Sequence, residues 1–122
     1  MTKIKTSELQ GAALDYMTGI AAGEYVQVNP TLGIKAANPV LRRGRRWRPS
    51  TDWSQGGPLI LQYGASLDRE SCDDWGSVIS IDRGDGIPSW VVMIGPTPLI
   101  AACRAIIAAK LGDEVDVPEE LV

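Results

Sequence analysis

The stretch Arg42–Arg48, RRGRRWR, places five of the chain's eight arginines within seven residues, and Pro49-Ser50-Thr51-Asp52-Trp53 follows directly. A guanidinium offers a planar fork of N–H donors that pairs with two phosphate oxygens at once, and an indole ring stacks on a base or another flat ring. The combination suits a nucleotide, with Arg45, Arg46 and Arg48 on the phosphates and Trp47 or Trp53 stacking. Ser50, Thr51 and Asp52 would then recognise ligand hydroxyls or cap a helix. The expected helix start at Ser50–Trp53 adds unpaired amides and a positive dipole end, which also favour an anion. The opposing reading of these residues is a solvated basic loop whose tryptophans belong to the core.

Other chemistry finds little support. The chain contains no histidine, so Ser-His-Asp and Cys-His arrangements are ruled out, as is any metal site with a His ligand. Its two cysteines, Cys72 in a polar segment and Cys103 in an apolar one, lack CxxC spacing, and neither a zinc centre nor a disulfide is expected from them. In LDRESCDDW, the carboxylates of Asp68, Glu70, Asp73 and Asp74 could hold a hard cation, but the segment lacks the ordered ligand spacing and glycine of a calcium loop. It reads as a solvated acidic turn. Ser50 and Ser54 lie near glycines without a GxSxG motif, and Gly56-Gly57 is followed by Pro58 where a phosphate-cradling Walker loop needs lysine. The expectation is a protein that is not an enzyme and uses no metal or cofactor.

A length of 122 residues fits one domain, residues 1–122, with an acidic tail at about 113–122. The longest apolar runs fall well short of the roughly 18 residues that span a bilayer. The opening MTKIKTSELQ has no apolar centre of the kind a signal peptide needs, so the expected location is the cytoplasm, with no membrane partner. A net charge of −3 conceals segregation: Arg42–Arg48 carries +5, whereas Asp113–Glu120 carries five acids and no base. Unspecific DNA binding rests on an overall basic surface, which this chain lacks.

The elements that must position the basic stretch can be read from periodicity. Leu9, Ala13, Tyr16, Met17 and Ile20 recur with a helical period, Ser7 and Gln10 have capping-box spacing, and Gly23 is placed to end the helix. Gly11 and Gly19 weaken that helix and suggest close approach by a neighbour. Tyr25–Val28 reads as a strand. Asn29–Arg48, with turn signals at Asn29-Pro30 and Asn38-Pro39, reads as a long irregular excursion. A second helix starts at Thr51 or Asp52 and runs through Trp53, Leu59, Ile60 and Tyr63 to Gly64. Gly56-Gly57-Pro58 should bend or split it. Trp75–Ile81 and Ser89–Ile94 form an antiparallel hairpin around DRGDGIP, and Trp75 and Trp90 read as core or sheet-edge residues. Thr97 then caps, and Pro98 opens, a helix with Leu99, Ile100, Cys103, Ile106, Ile107 and Leu111 on its apolar face and Gly112 at its end. The tail is expected to pack, if at all, through Val115, Val117 and Leu121. The class is α+β, a small antiparallel sheet packed with helices, arranged as a helix-sheet-helix sandwich.

Three segments, KIKTSELQGAALDYM (Lys3–Met17), PSTDWSQGGPLI (Pro49–Ile60) and GPTPLIAACRAIIAAKLGDEVDVPEEL (Gly95–Leu121), resemble the NinX-like family of lambdoid bacteriophages and prophages. Glu24–Arg48 matches that family weakly. The resemblance implies a phage accessory protein of unknown function, encoded among genes dispensable for basic replication. The order of proline, threonine and aspartate before an apolar helix is also similar to phage helix-sheet-helix sandwich domains. Trp47-Arg48-Pro49-Ser50-Thr51-Asp52 is similar to the W-x-P-S-x-D pattern of small phage sponges, which sequester nucleotide messengers of bacterial immunity.

The leading expectation is therefore a counter-defence protein of the infected host's cytoplasm, binding a nucleotide-like small molecule through Arg45, Arg46, Trp47, Arg48, Ser50, Thr51, Asp52 and Trp53. Sponges of that kind are usually oligomers, and a small sheet with open edges makes a homo-oligomer the expected state. Two alternatives stand beside it: an interaction module that modifies a host protein, and nucleic-acid binding through the basic loop.

Overall fold

In chain order the elements are β1 (Thr2–Lys5), a short 3-10 turn (Thr6–Glu8), α1 (Gly11–Ala22), β2 (Tyr25–Asn29), β3 (Gly33–Asn38), β4 (Arg43–Arg46), α2 (Trp53–Tyr63), β5 (Asp68–Arg69), β6 (Trp75–Ile81), β7 (Ser89–Gly95), α3 (Pro98–Leu111), β8 (Glu114–Val117) and a last 3-10 turn (Glu119–Leu121). The structure, a computed structural model, describes the backbone of residues 1–29, 33–38 and 43–122 and the side chains outside 29–45.

The helix α3 organises the rest. The Thr97 hydroxyl accepts the Ile100 N–H at 3.2 Å, Pro98 takes the first helical position, and Gly112 follows the last. Ala101, Ala102, Ala105 and Ala108 are buried along with Leu99, Cys103, Ile106 and Ile107, so the helix is enclosed on most of its circumference. The alanines allow this, because their small side chains let neighbours approach from several directions. One neighbour is the β6–β7 hairpin and another is α1, with α2 packed beside it; β2 and β3 in turn contact α1. Two core clusters result among the described residues. Cys103 and Ile107 join Leu9, Ala13, Leu14, Met17, Val115 and Val117, while Ala105 and Ile106 join Trp47, Leu59 and Ile79.

The α+β class holds. Among the described residues, however, the strands form three antiparallel sheets, β1-β8, β2-β3-β4 and β5-β6-β7, around paired helices, where one sheet between helices was expected. The expected antiparallel hairpin forms, with Val78 opposite Val92 and Ile81 opposite Ser89.

Five expectations are corrected. The Asn29–Arg48 excursion contains β3 and β4, which continue the β2 ladder. Its alanines, lysine and arginines have low strand propensity, and pairing with β2 overrides it. The turn prolines Pro30 and Pro39 lie outside the described residues. The Ser7–Gln10 capping box does not form: Thr6–Glu8 is a 3-10 turn, and α1 starts at Gly11 without a side-chain cap. The buried side of α1 is formed by Ala13, Leu14, Asp15, Met17, Thr18 and Gly19, with Ile20 exposed. Gly56-Gly57-Pro58 does not divide α2, which is continuous from Trp53 to Tyr63; a proline at the sixth position removes a single intrahelical bond, to the Ser54 carbonyl. Finally, the ends of the chain pair as β1 and β8, with Thr2 opposite Val117. Val115 and Val117 are buried as the tail reading allowed, and the E-V-D-V alternation is a strand pattern too short to stand out alone.

Candidate functional site

Gly11, Ala12 and Asp15 of α1, Arg46 at the end of β4, Trp47 and Arg48 just after it, Ser50, Thr51 and Ile100 line a recess of about 290 Å³. Its back wall is built around Trp47. That side chain is 2% exposed, and its Nε1–H donates to the Asp15 carbonyl at 2.9 Å. Gly19 makes the close approach possible: a Cβ there would meet Val26 and stand 2.9 Å from the Trp47 Nε1. Of the two readings of Trp47, the core residue is the one observed, and its ring is not presented for stacking.

Asp15 is the residue that sequence reasoning missed. It is 7% exposed, and its Oδ1 accepts the Ser50 N–H at 2.9 Å. Burial pushes its carboxyl above the ordinary carboxylate range; hydrogen bonds from the Ser50 hydroxyl and N–H, and the Arg48 charge, oppose that rise. Ser50 is itself buried, and both of its donors face Asp15 in place of a ligand hydroxyl. An aspartate inside an amphipathic helix gives no sequence signal of burial, since most such residues face water.

The helix start at α2 is already satisfied. Asp52 Oδ1 accepts the Ser54 N–H at 2.9 Å and the Ser54 hydroxyl at 2.6 Å, and these bonds hold its carboxyl below the ordinary range, helped by Arg48. The Thr51 and Asp52 N–H groups turn back to the Arg48 carbonyl, and the Gln55 and Gly56 N–H groups reach the Asp52 carbonyl. Asp52 therefore plays the capping role, and the anion-attracting end expected at Ser50–Trp53 is not open there. The uncapped helix start is that of α1, at the rim of the same recess: Gln10 makes no side-chain cap, and no acid stands in the first turn.

Gln55 fixes the basic strand against α2. Its Nε2–H donates to the Arg46 carbonyl at 2.6 Å and its Oε1 accepts the Arg48 N–H at 2.6 Å. Arg46 and Arg48 are exposed, and the Arg48 Nε lies 3.7 Å from Asp52 Oδ2. Thr51 is exposed, with its hydroxyl 3.5 Å from the Arg48 carbonyl. Trp53, 55% exposed, stands at the first position of α2 and does not line the recess. Arg42 lies outside the described residues, as do the side chains of Arg43 and Arg45.

The structure thus brings Arg46, Arg48 and Thr51 to one opening, assigns Trp47, Ser50 and Asp52 to the framework, and leaves Trp53 on the surface nearby. Elsewhere, Cys72 and Cys103 are free thiols, and burial pushes the Cys103 thiol up to about 12, which makes it inert at neutral pH. No group of three or more carboxylates and cysteines able to hold a metal forms among the described residues. No helix among them is long and apolar enough to cross a membrane.

Among curated proteins no match is found. The family model described as Bacteriophage P22, NinX, matches residues 5–110, a span that includes the weakly resembling Glu24–Arg48, and the chain belongs to that family.

Proposed function

We propose that this phage protein acts by binding, without catalysis, and that the recess beside α1 takes the phosphate of a nucleotide-like small molecule, such as an immune messenger of the infected cell. The observation that carries the reading is the presence of two cationic residues, Arg46 and Arg48, in the lining of the same recess as the uncapped start of α1. Backbone amides and guanidinium groups are the donors that phosphate oxygens accept most strongly. The oxygens of Asp15 on the same wall are engaged by the Ser50 hydroxyl and N–H, which both donate to them. Ile100 supplies an apolar lining residue, and a ligand extending past Thr51 would meet the exposed Trp53 as a stacking partner.

The test is a thermal-shift and calorimetric screen with inorganic phosphate, cyclic nucleotides and ADP-ribose derivatives. A ligand at one hundred times its Kd stabilises the fold by about 2.7 kcal/mol. The expected result is a shift with one nucleotide class that is lost in Arg46→Ser/Arg48→Ser. No shift with any of them at about 1 mM, a concentration that would reveal even weak sites, overturns the reading. Binding to nucleic acid that weakens steeply with salt would favour the RRGRRWR alternative instead.

A further inference from the structure

The strand β7 is the edge of the β5-β6-β7 sheet. Its inward residues Val91 and Met93 pack on the core, while Trp90, Val92 and Ile94 are 60%, 57% and 49% exposed. Three large apolar side chains in a row on an outer face are unusual for a strand that meets only water.

The backbone of the same residues is open as well. The Val78 carbonyl accepts the Ser66 N–H at 2.9 Å, and the Val78 N–H donates to the Ser66 hydroxyl at 3.1 Å. Both groups therefore point away from β7, and Val78 with its opposite residue Val92 is a non-hydrogen-bonded pair. Alternation along an antiparallel ladder makes Gly76 with Ile94, and Ser80 with Trp90, pairs of the same kind. The N–H and C=O groups of Trp90, Val92 and Ile94 consequently face the free edge. The Ile94 carbonyl takes one bond, from the Arg104 Nη1–H at 2.7 Å, and keeps a second lone pair. The remaining five groups have no hydrogen bond among the described residues.

We infer that this edge pairs with the β7 of a second copy of the chain, antiparallel about a two-fold axis at Val92. In that register Val92 exchanges both of its backbone bonds with its symmetry mate, and Trp90 does so with Ile94 of the other copy. All three outward residues are thereby satisfied, and an aromatic side chain is set against a β-branched one on the exposed face, a favourable cross-strand pair. The occupant is a second copy because the strand is complementary to itself. Ser89–Gly95 carries no charge and so brings no like charges together. The antiparallel arrangement also turns the Arg104 end of one strand toward the Asp82-Arg83-Asp85 turn of the other, whose net charge is negative. The opposite edge of the sheet is a strand of two charged residues, Asp68–Arg69, the blunt form by which natural sheets prevent such pairing.

The contact area sets the strength. Trp90, Val92, Ile94, the exposed Ile87 and the strand backbone offer on the order of 500 Å² per copy, against about 800 Å² for a standard stable interface, so the dimer depends on concentration. It is independent of what the recess binds.

Sedimentation velocity of the full chain between about 1 µM and 1 mM, the range of a weak interface, tests the inference. The expected result is a doubling of mass with concentration. Val92→Lys, a substitution at an exposed position, should keep the circular dichroism and Tm of the parent yet stay at monomer mass, because two lysines would face each other at the axis. An equal mixture of Val92→Lys and Val92→Glu should restore the doubled mass. A parent that stays monomeric up to 1 mM, or a lysine variant that dimerises like the parent, overturns it.

Discussion

The Asp15 carboxylate reaches across thirty-five residues of sequence to accept the Ser50 N–H at 2.9 Å, while the carbonyl of the same residue accepts the Trp47 indole N–H. One residue of α1 thus holds the segment that follows the basic strand at two points, and all three residues line the recess.

The burial of Asp15 gives a pH signature. Its folded pKa is raised above the ordinary 3.8, so between the two values the native state binds more protons than the unfolded one. Stability falls as pH rises through that window, and the contribution of the neutral acid is fully present only below it. Asp15→Asn removes this dependence, so its stability relative to the parent should improve as pH rises from below 3.8 to neutral. Asp52, with its lowered pKa, has the opposite sign. Its contribution is present above 3.8 and lost as pH falls through the lower folded value, so Asp52→Asn should lose ground to the parent as pH rises through that range. Urea titrations at a series of pH values check both, and parallel curves for either variant and the parent would contradict the assignment.

Trp47 and Trp53 should respond very differently to truncation. Trp47→Ala empties a buried site and is expected to cost about 3–5 kcal/mol, whereas Trp47→Phe, which mainly loses the bond to the Asp15 carbonyl, should cost about 1–2 kcal/mol. Trp53→Ala, at an exposed position, should stay within about 0.5 kcal/mol. Denaturant midpoints of the three variants decide between a framework and a surface role.

The adjacent glycines of α2 make a paired test. A Cβ on Gly56 would meet the Pro49 carbonyl and lie 2.6 Å from Leu99 Cδ2, so Gly56→Ala is expected to destabilise by about 1–3 kcal/mol. A Cβ on Gly57 meets nothing within 4 Å. Its helix-propensity gain of up to about 1 kcal/mol is offset in part by crowding against the following proline, so Gly57→Ala should change stability by less than about 1 kcal/mol. Thermal melts of the two variants should therefore separate clearly.

Thr97→Ala should cost about 1 kcal/mol through loss of the cap at Ile100. Arg46→Ser and Arg48→Ser should barely move Tm, since the Arg48–Asp52 pair is partly exposed at a separation of 3.7 Å and surface pairs contribute about 0–1 kcal/mol. Differential scanning calorimetry distinguishes the two patterns, and a large loss from either arginine would make it a framework residue.

Where several local signals agreed, the fold was legible. Thr97, Pro98 and Gly112 mark both ends of α3, and the Asp85-Gly86 turn marks the hairpin. Where pairing at a distance decides the outcome, the residues themselves carry little. Gly33–Asn38 and Arg43–Arg46 are poor strand formers that follow β2, and Thr2–Lys5 is a strand only because Glu114–Val117 lies beside it. The site divided in the same way. The arginines announced themselves by type, and Asp52 as a cap by position. The burial of Trp47 and Ser50 depends on Asp15, thirty-two and thirty-five residues earlier, and no spacing rule connects them.

A side-chain amide carries the same donor and acceptor as a peptide group. Bonded to the Arg46 carbonyl and the Arg48 N–H, Gln55 stands in the place of a neighbouring strand. These two bonds tie the end of the basic strand to α2, so a movement of the arginine wall relative to the α1 start would have to carry the helix along or break both of them.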